Sequence, residues 1–332
     1  MGGPPAHCSR TYERAIGYWD KFNEVASSVP ALWDRNRNWS WHTFDDRCPV
    51  DDLLSDAANS LANAPSWFPA GGLRVLLIGD SLDKSIMTAF CELGEKRTAV
   101  RWLVHEGSGA GICRGAALTL VNYRIFGLAN YSQPYLLPRY ETRRPKPRVW
   151  DTRYRLQRLL PRDVPNASSF DAIILHSSAW DLSRPLTTTD PATVATARAY
   201  HAAVRNVSHL MRRSYPRSRI FWRTSPPLGF DDGPPIAGVT RTKKSQTMLH
   251  NALKDAVDEE RRAGNVDGDV LDWHNMLGGY SHLAKKDPNR VHYPRQLGLA
   301  FFNLFLNALR ARMQRPRAIA SGDARNDQRA RA

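Results

Sequence analysis

The stretch LRVLLIGDSLDKSIMTAF, residues 73–90, changes in character at its centre. Its first six residues are mostly apolar, as in a buried strand, whereas the apolar residues of its second half recur at helical spacing. Gly79, Asp80 and Ser81 stand at the junction, where a glycine allows a tight turn and an aspartate holds the turn by local hydrogen bonds. The pattern predicts a strand, a sharp turn and a helix that begins near Ser81.

A serine at the first turn of a helix has two interpretations. Free backbone N–H groups and the helix dipole favour negative charge there, which suits a nucleophilic hydroxyl beside a developing oxyanion. Serine is also a common N-cap residue without any chemistry. The rest of the chain has to decide between the two.

From residue 73 onwards, predicted strands and helices alternate, which favours a parallel sheet covered on both faces. This order predicts an α/β fold of the flavodoxin-like, doubly wound type, with a five-stranded parallel sheet. Ligands of such folds bind beyond the carboxyl ends of the strands, beside the first strand, which is where Ser81 lies. The predicted strands are 73–78, 99–104, 171–176, 219–223 and 268–272, and the predicted helices are 82–94, 190–214, 244–262 and 294–313.

Three other segments differ from this alternating region. Residues 1–70 are rich in Trp, Asp and Asn and predict an irregular N-terminal layer in front of an α/β domain at 71–313. Residues 105–169 form a long insertion after the second strand, and their tyrosines, prolines and arginines predict an ordered cationic lid. Residues 314–332 predict a basic, disordered tail.

A serine nucleophile needs a base, which is usually histidine. His292 precedes the final predicted helix, so its loop should reach the edge of the sheet that holds Ser81. His176 and His274 also follow predicted strands, but structural roles in packing or hydrogen bonding are expected for them.

Three segments resemble the SGNH/GDSL hydrolase superfamily, and within it most of all the PC-esterase and trichome-birefringence-like branch. They are IGDSLDKSIMTAFCE, DAIILHSSAWDLSR and NRVHYPRQLGLAFFNLFLNAL, in that order along the chain. The resemblance implies Ser81 as the nucleophile and His292 as the general base and then acid. It also implies an oxyanion held by the Ser81 backbone N–H and by a glycine N–H after the second strand, at Gly107 or Gly109.

The sequence departs from the family pattern at two places. The second of these segments reads HSSAWDL and lacks the asparagine donor that the family carries there, so Ser177 or Ser178 is the expected substitute donor. Asp181 in the same segment is either a substrate contact or a loop anchor. The family places an aspartate three residues before the histidine. Here that position is Asn289, and the carboxylate Asp287 lies five residues before. Asp287 is the predicted orienting residue for His292, and the alternatives are Asn289 or a dyad on a backbone carbonyl. Asp272 at the end of the fifth predicted strand is a further candidate, although a cap or ion-pair role is expected for it.

Composition limits the class of protein and its surroundings. The formal net charge is +15, with basic residues concentrated in 139–162 and 310–332, which favours anionic partners. The four cysteines lack C-x-x-C spacing, so no metal site is expected, and up to two disulfides could form in three connectivities. No apolar stretch has the length of a membrane span, and the first residues lack a signal-peptide core. Four N-x-S sequons lie at Asn38, Asn130, Asn166 and Asn206. Together with the cysteines, these sequons favour a secretory or extracellular location.

These features predict a serine esterase or O-acyltransferase without a cofactor, acting on an O-acyl ester of a carbohydrate, with acetyl as the expected group. The expected partner is an acylated small molecule or a glycan, including anionic glycans, rather than nucleic acid. The alternative is a catalytically silent module of the same fold that binds an anionic glycan or another polyanion.

Overall fold

The structure is a computed structural model of the chain. It describes residues 5, 7–15, 17–20, 40–54, 66–93, 101–105, 108–128, 151–164, 170–177, 181, 194–228, 243–278, 280–281, 284 and 292–313.

The described elements follow one another as helices α1–α7 and strands β1–β8. The strands are β1 (Gly17–Asp20), β2 (Ser40–Thr43), β3 (Leu73–Gly79), β4 (Arg101–His105), β5 (Ser108–Arg114), β6 (Leu118–Arg124), β7 (Ala172–Leu175) and β8 (Arg219–Trp222). The helices are α1 (Cys8–Glu13), α2 (Ser81–Leu93), α3 (Thr152–Tyr154, a π-helical turn Arg155–Leu159 and Leu160–Asp163), α4 (Val194–Ser214), α5 (Lys243–Arg262), α6 (Trp273–Met276) and α7 (Arg295–Met313).

The main sheet has six strands in the order β4-β5-β6-β3-β7-β8. β3 pairs in parallel with β6 on one side and β7 on the other, and β7 pairs in parallel with β8. A parallel bridge between Arg223 and Leu271 continues the sheet beyond β8. The parallel part therefore has the flavodoxin-like order, in which the first strand lies between the second and the third, and the α/β fold is confirmed.

Neighbouring residues of β8 show that helices cover both faces of the sheet. Phe221 contacts Phe305 of α7, with ring centroids 5.4 Å apart. Trp222, which points to the opposite face, donates a hydrogen bond from its indole Nε1 to Ser208 of α4 at 2.9 Å. Because side chains alternate along a strand, this pair places α7 on one face and α4 on the other. The fold is doubly wound, as its sequence pattern predicts.

The prediction for the second strand was wrong in its position. The segment predicted at 99–104 forms the edge strand β4, and β6 lies next to β3 instead. β5 joins the two as the middle of an antiparallel meander. The sequence of β5 is rich in glycine and predicts a loop, because small residues have low strand propensity. The beginning of the 105–169 insertion thus belongs to the sheet and not to a lid, while 129–150 lie outside the described residues.

The segment predicted as a fifth strand, 268–272, takes part in the sheet only through the bridge at Leu271. Glu13 of α1 is hydrogen-bonded to this segment at two positions. The Glu13 carboxylate accepts the Asp269 N–H at 2.9 Å, and the Glu13 carbonyl accepts the Asp272 N–H at 2.6 Å. The N-terminal segment therefore takes the hydrogen bonds that a full strand would use.

The described N-terminal residues pack on the last helix, with α1 against α7. A disulfide joins Cys8 to Cys48, and another joins Cys91 of α2 to Cys113 of β5. The second disulfide ties the helix that follows β3 to the meander. The division into a layer at 1–70, a domain at 71–313 and a tail at 314–332 stays a prediction. Within the described residues, no helix is long and apolar enough to cross a membrane.

Candidate active site

The turn between β3 and α2 is built by its own side chains. The Asp83 carboxylate folds back under the turn and accepts the Asp80 N–H at 3.1 Å. A Cβ atom on Gly79 would lie 1.9 Å from Asp83 Oδ2, so only glycine leaves room for this carboxylate. Asp80 in turn accepts the Leu82 N–H at 2.9 Å. The sequence GDSLD therefore encodes a tight turn with Ser81 at its outer corner.

The structure brings His292 to Ser81. Ser81 Oγ lies 2.7 Å from His292 Nε2, although the two residues are 211 positions apart in the chain. His292 lies just before α7, and α7 approaches α2 closely at Gly298, where a Cβ atom would be 2.8 Å from Ile86. The hydroxyl of Tyr293 donates a hydrogen bond to the Pro227 carbonyl and so fixes the segment next to His292.

This geometry allows proton transfer between the two side chains. A neutral imidazole with Nε2 unprotonated accepts the hydrogen bond of the serine hydroxyl and can take its proton. Ser81 is half-buried and begins α2, so negative charge that develops beside it meets the positive end of the helix dipole. The pair has the geometry that activation of a serine by a histidine requires.

Of the two glycines predicted to complete the oxyanion site, only Gly109 belongs to the described residues, and its strand β5 is separated from β3 by β6. Gly109 lies in β5, opposite Val104 of β4, and Gly107 lies outside the described residues. The loop that does adjoin the Ser81 turn follows β6, since the Ile125 N–H donates to the Gly79 carbonyl at 2.7 Å. Gly127 in this loop has φ 96°, which favours glycine.

Sequence reasoning missed Gly127 because it placed the second strand at 99–104. The signal was nevertheless present, since the apolar segment Leu118–Arg124 is followed within three residues by a glycine.

Asp181 anchors the loops around the site. Its carboxylate accepts the Leu128 N–H at 2.9 Å and also the hydroxyl of Ser177. The Ser177 carbonyl in turn accepts a hydrogen bond from the hydroxyl of Tyr200. A serine hydroxyl carries a single proton, so the bond to Asp181 directs the Ser177 proton away from an oxyanion. Ser178 lies outside the described residues.

Three residues are candidates for orienting His292. Asp287 and Asn289 lie outside the described residues, and their roles stay predictions. Asp272, at the end of the fifth predicted strand, caps α6 by accepting the Asn275 N–H at 3.1 Å. It also forms an ion pair of 2.7 Å with Lys254. Asp272 therefore has the role of a cap and ion-pair partner.

His250 of α5 and His274 of α6 are packed against each other. The ring centroids of His250 and His274 are 4.6 Å apart, and His250 Nε2 lies 3.3 Å from Ser225 Oγ. Burial lowers the pKa of His250 well below its usual value, and the neighbouring His274 and Lys254 lower it further. Burial also lowers the pKa of His274. Both imidazoles are therefore favoured in their neutral forms.

This pair predicts an acid-sensitive fold. In the unfolded chain each histidine gains a proton below about pH 6.5, whereas the folded protein resists it. The free energy of unfolding should therefore fall with decreasing pH from 6.5 towards 5, by up to about 1.4 kcal/mol per pH unit for each histidine. Urea unfolding at pH 7.5, 6.5 and 5.5 measures this slope. His250→Gln should reduce the slope, because it removes one of the two buried imidazoles. An unchanged slope in His250→Gln would contradict the assignment.

Comparison with known proteins gives matches in structure alone. No family profile matches the chain, and no curated protein matches it. A protein described as a GDSL-like lipase from Parabacteroides merdae is 13% identical, with a TM-score of 0.41, over 72% of this chain and 96% of its own. A carbohydrate esterase family 2 enzyme from Corynascus thermopiles (Myceliophthora fergusii) is 19% identical, with a TM-score of 0.41, over 76% of this chain and 69% of its own. A peptidoglycan O-acetylesterase is 12% identical, with a TM-score of 0.40, over 86% of this chain and 97% of its own.

At these identities and TM-scores the matches say nothing about activity. The class of protein is defined by its own topology and contacts: a doubly wound α/β protein with a serine–histidine pair at the carboxyl edge of its first strand. The PC-esterase branch is not among the names given above and stays a prediction.

Proposed function

We propose that the protein is a serine esterase of the SGNH/GDSL type, with Ser81 as the nucleophile and His292 as the general base. The observation that carries this proposal is the 2.7 Å contact between Ser81 Oγ and His292 Nε2 at the start of α2. The contact lies at the switch point of the doubly wound sheet, where folds of this order bind their ligands.

In the proposed reaction, Ser81 Oγ attacks the ester carbonyl carbon while its proton passes to His292 Nε2. The tetrahedral intermediate collapses, the bond to the alcohol oxygen breaks, and the leaving alcohol takes the proton from His292. Water then attacks the acyl-serine carbonyl carbon and gives its proton to His292. The bond between this carbon and Ser81 Oγ breaks, Oγ takes the proton back from His292, and the carboxylic acid is released. If a sugar hydroxyl replaces the water, the same steps give acyl transfer. Proton transfer by a positioned histidine contributes roughly 10²–10⁴ to the rate.

For the oxyanion we propose the backbone N–H groups of Ser81 and Gly127. Two facts support Gly127. Its loop is hydrogen-bonded to the Gly79 carbonyl at the start of the Ser81 turn, and Asp181 holds the next residue, Leu128. Losing one oxyanion donor typically costs on the order of 10²–10³ in rate, so the absence of the family's asparagine makes the remaining donors important.

For the substrate we propose an O-acetyl ester of a carbohydrate. The basis is the sequence resemblance to the PC-esterase branch. The high positive charge of the chain, +15, fits glycans that carry acidic groups. The two disulfides fit an oxidising, extracellular or secretory location. Asn206, one of the sequon asparagines, is exposed on α4 and so lies where a glycan would have room.

The test of the proposed chemistry is labelling by a fluorophosphonate probe, followed by peptide mass spectrometry. We expect a single adduct on Ser81, because the activated hydroxyl displaces fluoride and forms a stable phosphonyl ester. Pre-incubation with p-nitrophenyl acetate should slow the labelling, since both reagents use the same hydroxyl. A protein that is folded by circular dichroism but is not labelled would contradict the esterase proposal. That result would instead favour the catalytically silent glycan-binding module.

A further inference from the structure

A fully buried arginine lies beneath the turn that carries Ser81. Arg223 directly follows β8, and none of its side chain is exposed to solvent. Its Nε donates to Asp83 Oδ1 at 2.9 Å, and its Nη2 lies 2.7 Å from Asp83 Oδ2. A third nitrogen, Nη1, donates to the Thr224 carbonyl at 3.0 Å. The guanidinium carbon lies 4.9 Å from the ring centroid of Trp273, a distance typical of a cation–π contact.

Asp83 connects this arginine to the nucleophile turn. Besides Arg223, its carboxylate accepts the Asp80 N–H at 3.1 Å, and Asp80 is the residue before Ser81. Its Oδ2 also lies 3.2 Å from His176 Nδ1, directly after β7. Asp83 is itself fully buried. One carboxylate thus joins the ends of β3, β7 and β8 to the first turn of α2.

Asp83 has its counter-ion in Arg223. The ligand atoms of Asp80, Asp83 and His176 lie within 4.8 Å of one another, a spacing at which an ion could be held. Both Asp83 oxygens, however, already contact the guanidinium of Arg223. Burial raises the pKa of Asp83, but Arg223 and His176 together outweigh it and hold the pKa below its usual value. Asp83 is therefore an anion at neutral pH, paired with arginine.

Stability alone does not account for this pair. Taking two charges out of water is costly, and a protein with well-packed apolar residues of the same volume in their place is often at least as stable. Apolar residues, however, could not accept the Asp80 N–H or span three strand ends with fixed hydrogen-bond geometry. What the ion pair adds over an apolar contact is a defined position for the turn.

We propose that Arg223, acting through Asp83, is a positioning residue that fixes the Ser81 hydroxyl within reach of His292. This inference rests on the proposed esterase function. Arg223 makes no contact with reacting atoms in this scheme. It sets the turn, and a displacement of about 1 Å at a reacting group can cost on the order of 10² in rate.

The experiment compares Arg223→Lys with Arg312→Lys. Arg312, near the far end of α7, also pairs with a fully buried carboxylate, that of Glu13. Both variants keep a positive charge and lose the planar two-nitrogen contact. Two quantities are measured per folded molecule, with the folded fraction taken from near-UV circular dichroism. These are the fluorophosphonate labelling rate constant and the kcat and KM for p-nitrophenyl acetate.

We expect Arg223→Lys to lower the labelling rate constant and kcat by about 10- to 100-fold, with KM changed by less than about threefold. Arg312→Lys should leave both rates within about twofold of the wild type, even where it lowers the melting temperature equally. Equal rates for Arg223→Lys and the wild type would overturn the inference, as would an equal loss in Arg312→Lys. If the wild type is not labelled at all, it is the esterase proposal that fails.

A second variant covers the case in which Arg223→Lys does not fold. Asp83→Asn with Arg223→Met removes both charges together, which avoids leaving one of them buried and unpaired. We expect this double variant to fold and to be labelled at least about tenfold more slowly than the wild type. Labelling at the wild-type rate would overturn the inference. If neither variant folds, the pair is a requirement of folding and the positioning role is rejected.

Discussion

Replacing Ser81 by alanine is expected to lower kcat/KM for p-nitrophenyl acetate by roughly four to six orders of magnitude, as removal of the nucleophile does in serine hydrolases. The only change is the loss of the hydroxyl that lies 2.7 Å from His292 Nε2. Alanine is a good helix former, so α2 should remain intact. The measurement is release of p-nitrophenol by protein purified separately for each variant, with the melting temperature recorded alongside.

Ser85 provides a matched control for this variant. It lies one turn further along α2, and its hydroxyl donates to the Ser81 carbonyl at 2.9 Å. Ser85→Ala makes the same chemical change in the same helix, and we expect kcat/KM to stay within about threefold of the wild type because only one local hydrogen bond is lost. An equal rate for Ser81→Ala and the wild type would exclude Ser81 as the nucleophile.

A double variant tests whether Ser81 and His292 act together, because the rate losses of residues that act as a unit are not additive in free energy. If the histidine acts only by taking the serine proton, removing it matters little once the serine is gone. The double variant of Ser81→Ala and His292→Ala should then lose about as much rate as the larger single loss. Losses that multiply would indicate that the two residues act independently and that the contact between them has no role in catalysis.

The position of this pair could be predicted from the sequence because two simple rules apply. Apolar periodicity identified β3, β7, β8 and the long helices, whose signals are strong and local. The alternation of strands and helices then places residue 81 and the loop before the last helix at one edge of the sheet. Neither step needs knowledge of a contact between distant side chains. The proximity of Ser81 and His292 could therefore be predicted from the sequence.

The meander β4–β5–β6 was not predictable in the same way. A strand such as Ser108–Arg114 has small residues and glycines, and its place in the sheet depends on partners on both sides. The antiparallel pairing has no signature in the periodicity of a single strand. Because the neighbour of β3 was misplaced, the sequence pointed to Gly107 or Gly109 for the oxyanion, whereas the loop next to the Ser81 turn contains Gly127, the residue proposed above.

Arg223 illustrates another limit of sequence reasoning. For an arginine that follows the strand segment RIFW, the sequence predicts a side chain exposed to solvent, because arginine is seldom fully buried without a partner. Its partner, Asp83, lies 140 residues earlier in the chain. The disulfides show the same limit, since four cysteines leave three pairings open and only the three-dimensional arrangement selects Cys8–Cys48 and Cys91–Cys113.

Asp287→Asn is expected to lower kcat by about 10⁴, with KM almost unchanged, because the analogous change in a serine protease favours the wrong imidazole tautomer. His292 uses Nε2 to meet Ser81, so a group that orients the ring has to meet Nδ1 on its other side. A carboxylate at that place accepts the Nδ1–H and stabilises the imidazolium that forms during attack. Steady-state kinetics with p-nitrophenyl acetate measures both parameters.

Asn289→Asp serves as the companion variant, because it restores the carboxylate at the position where the resembled family carries one. If Asp287 orients His292, this second carboxylate is superfluous, and kcat should stay within about threefold of the wild type. If Asn289 occupies the orienting place, the outcome is reversed: Asn289→Asp raises kcat and Asp287→Asn leaves it unchanged. If neither variant changes kcat, His292 works as a dyad held by a backbone carbonyl, because a carbonyl oxygen accepts the Nδ1–H without supplying a negative charge.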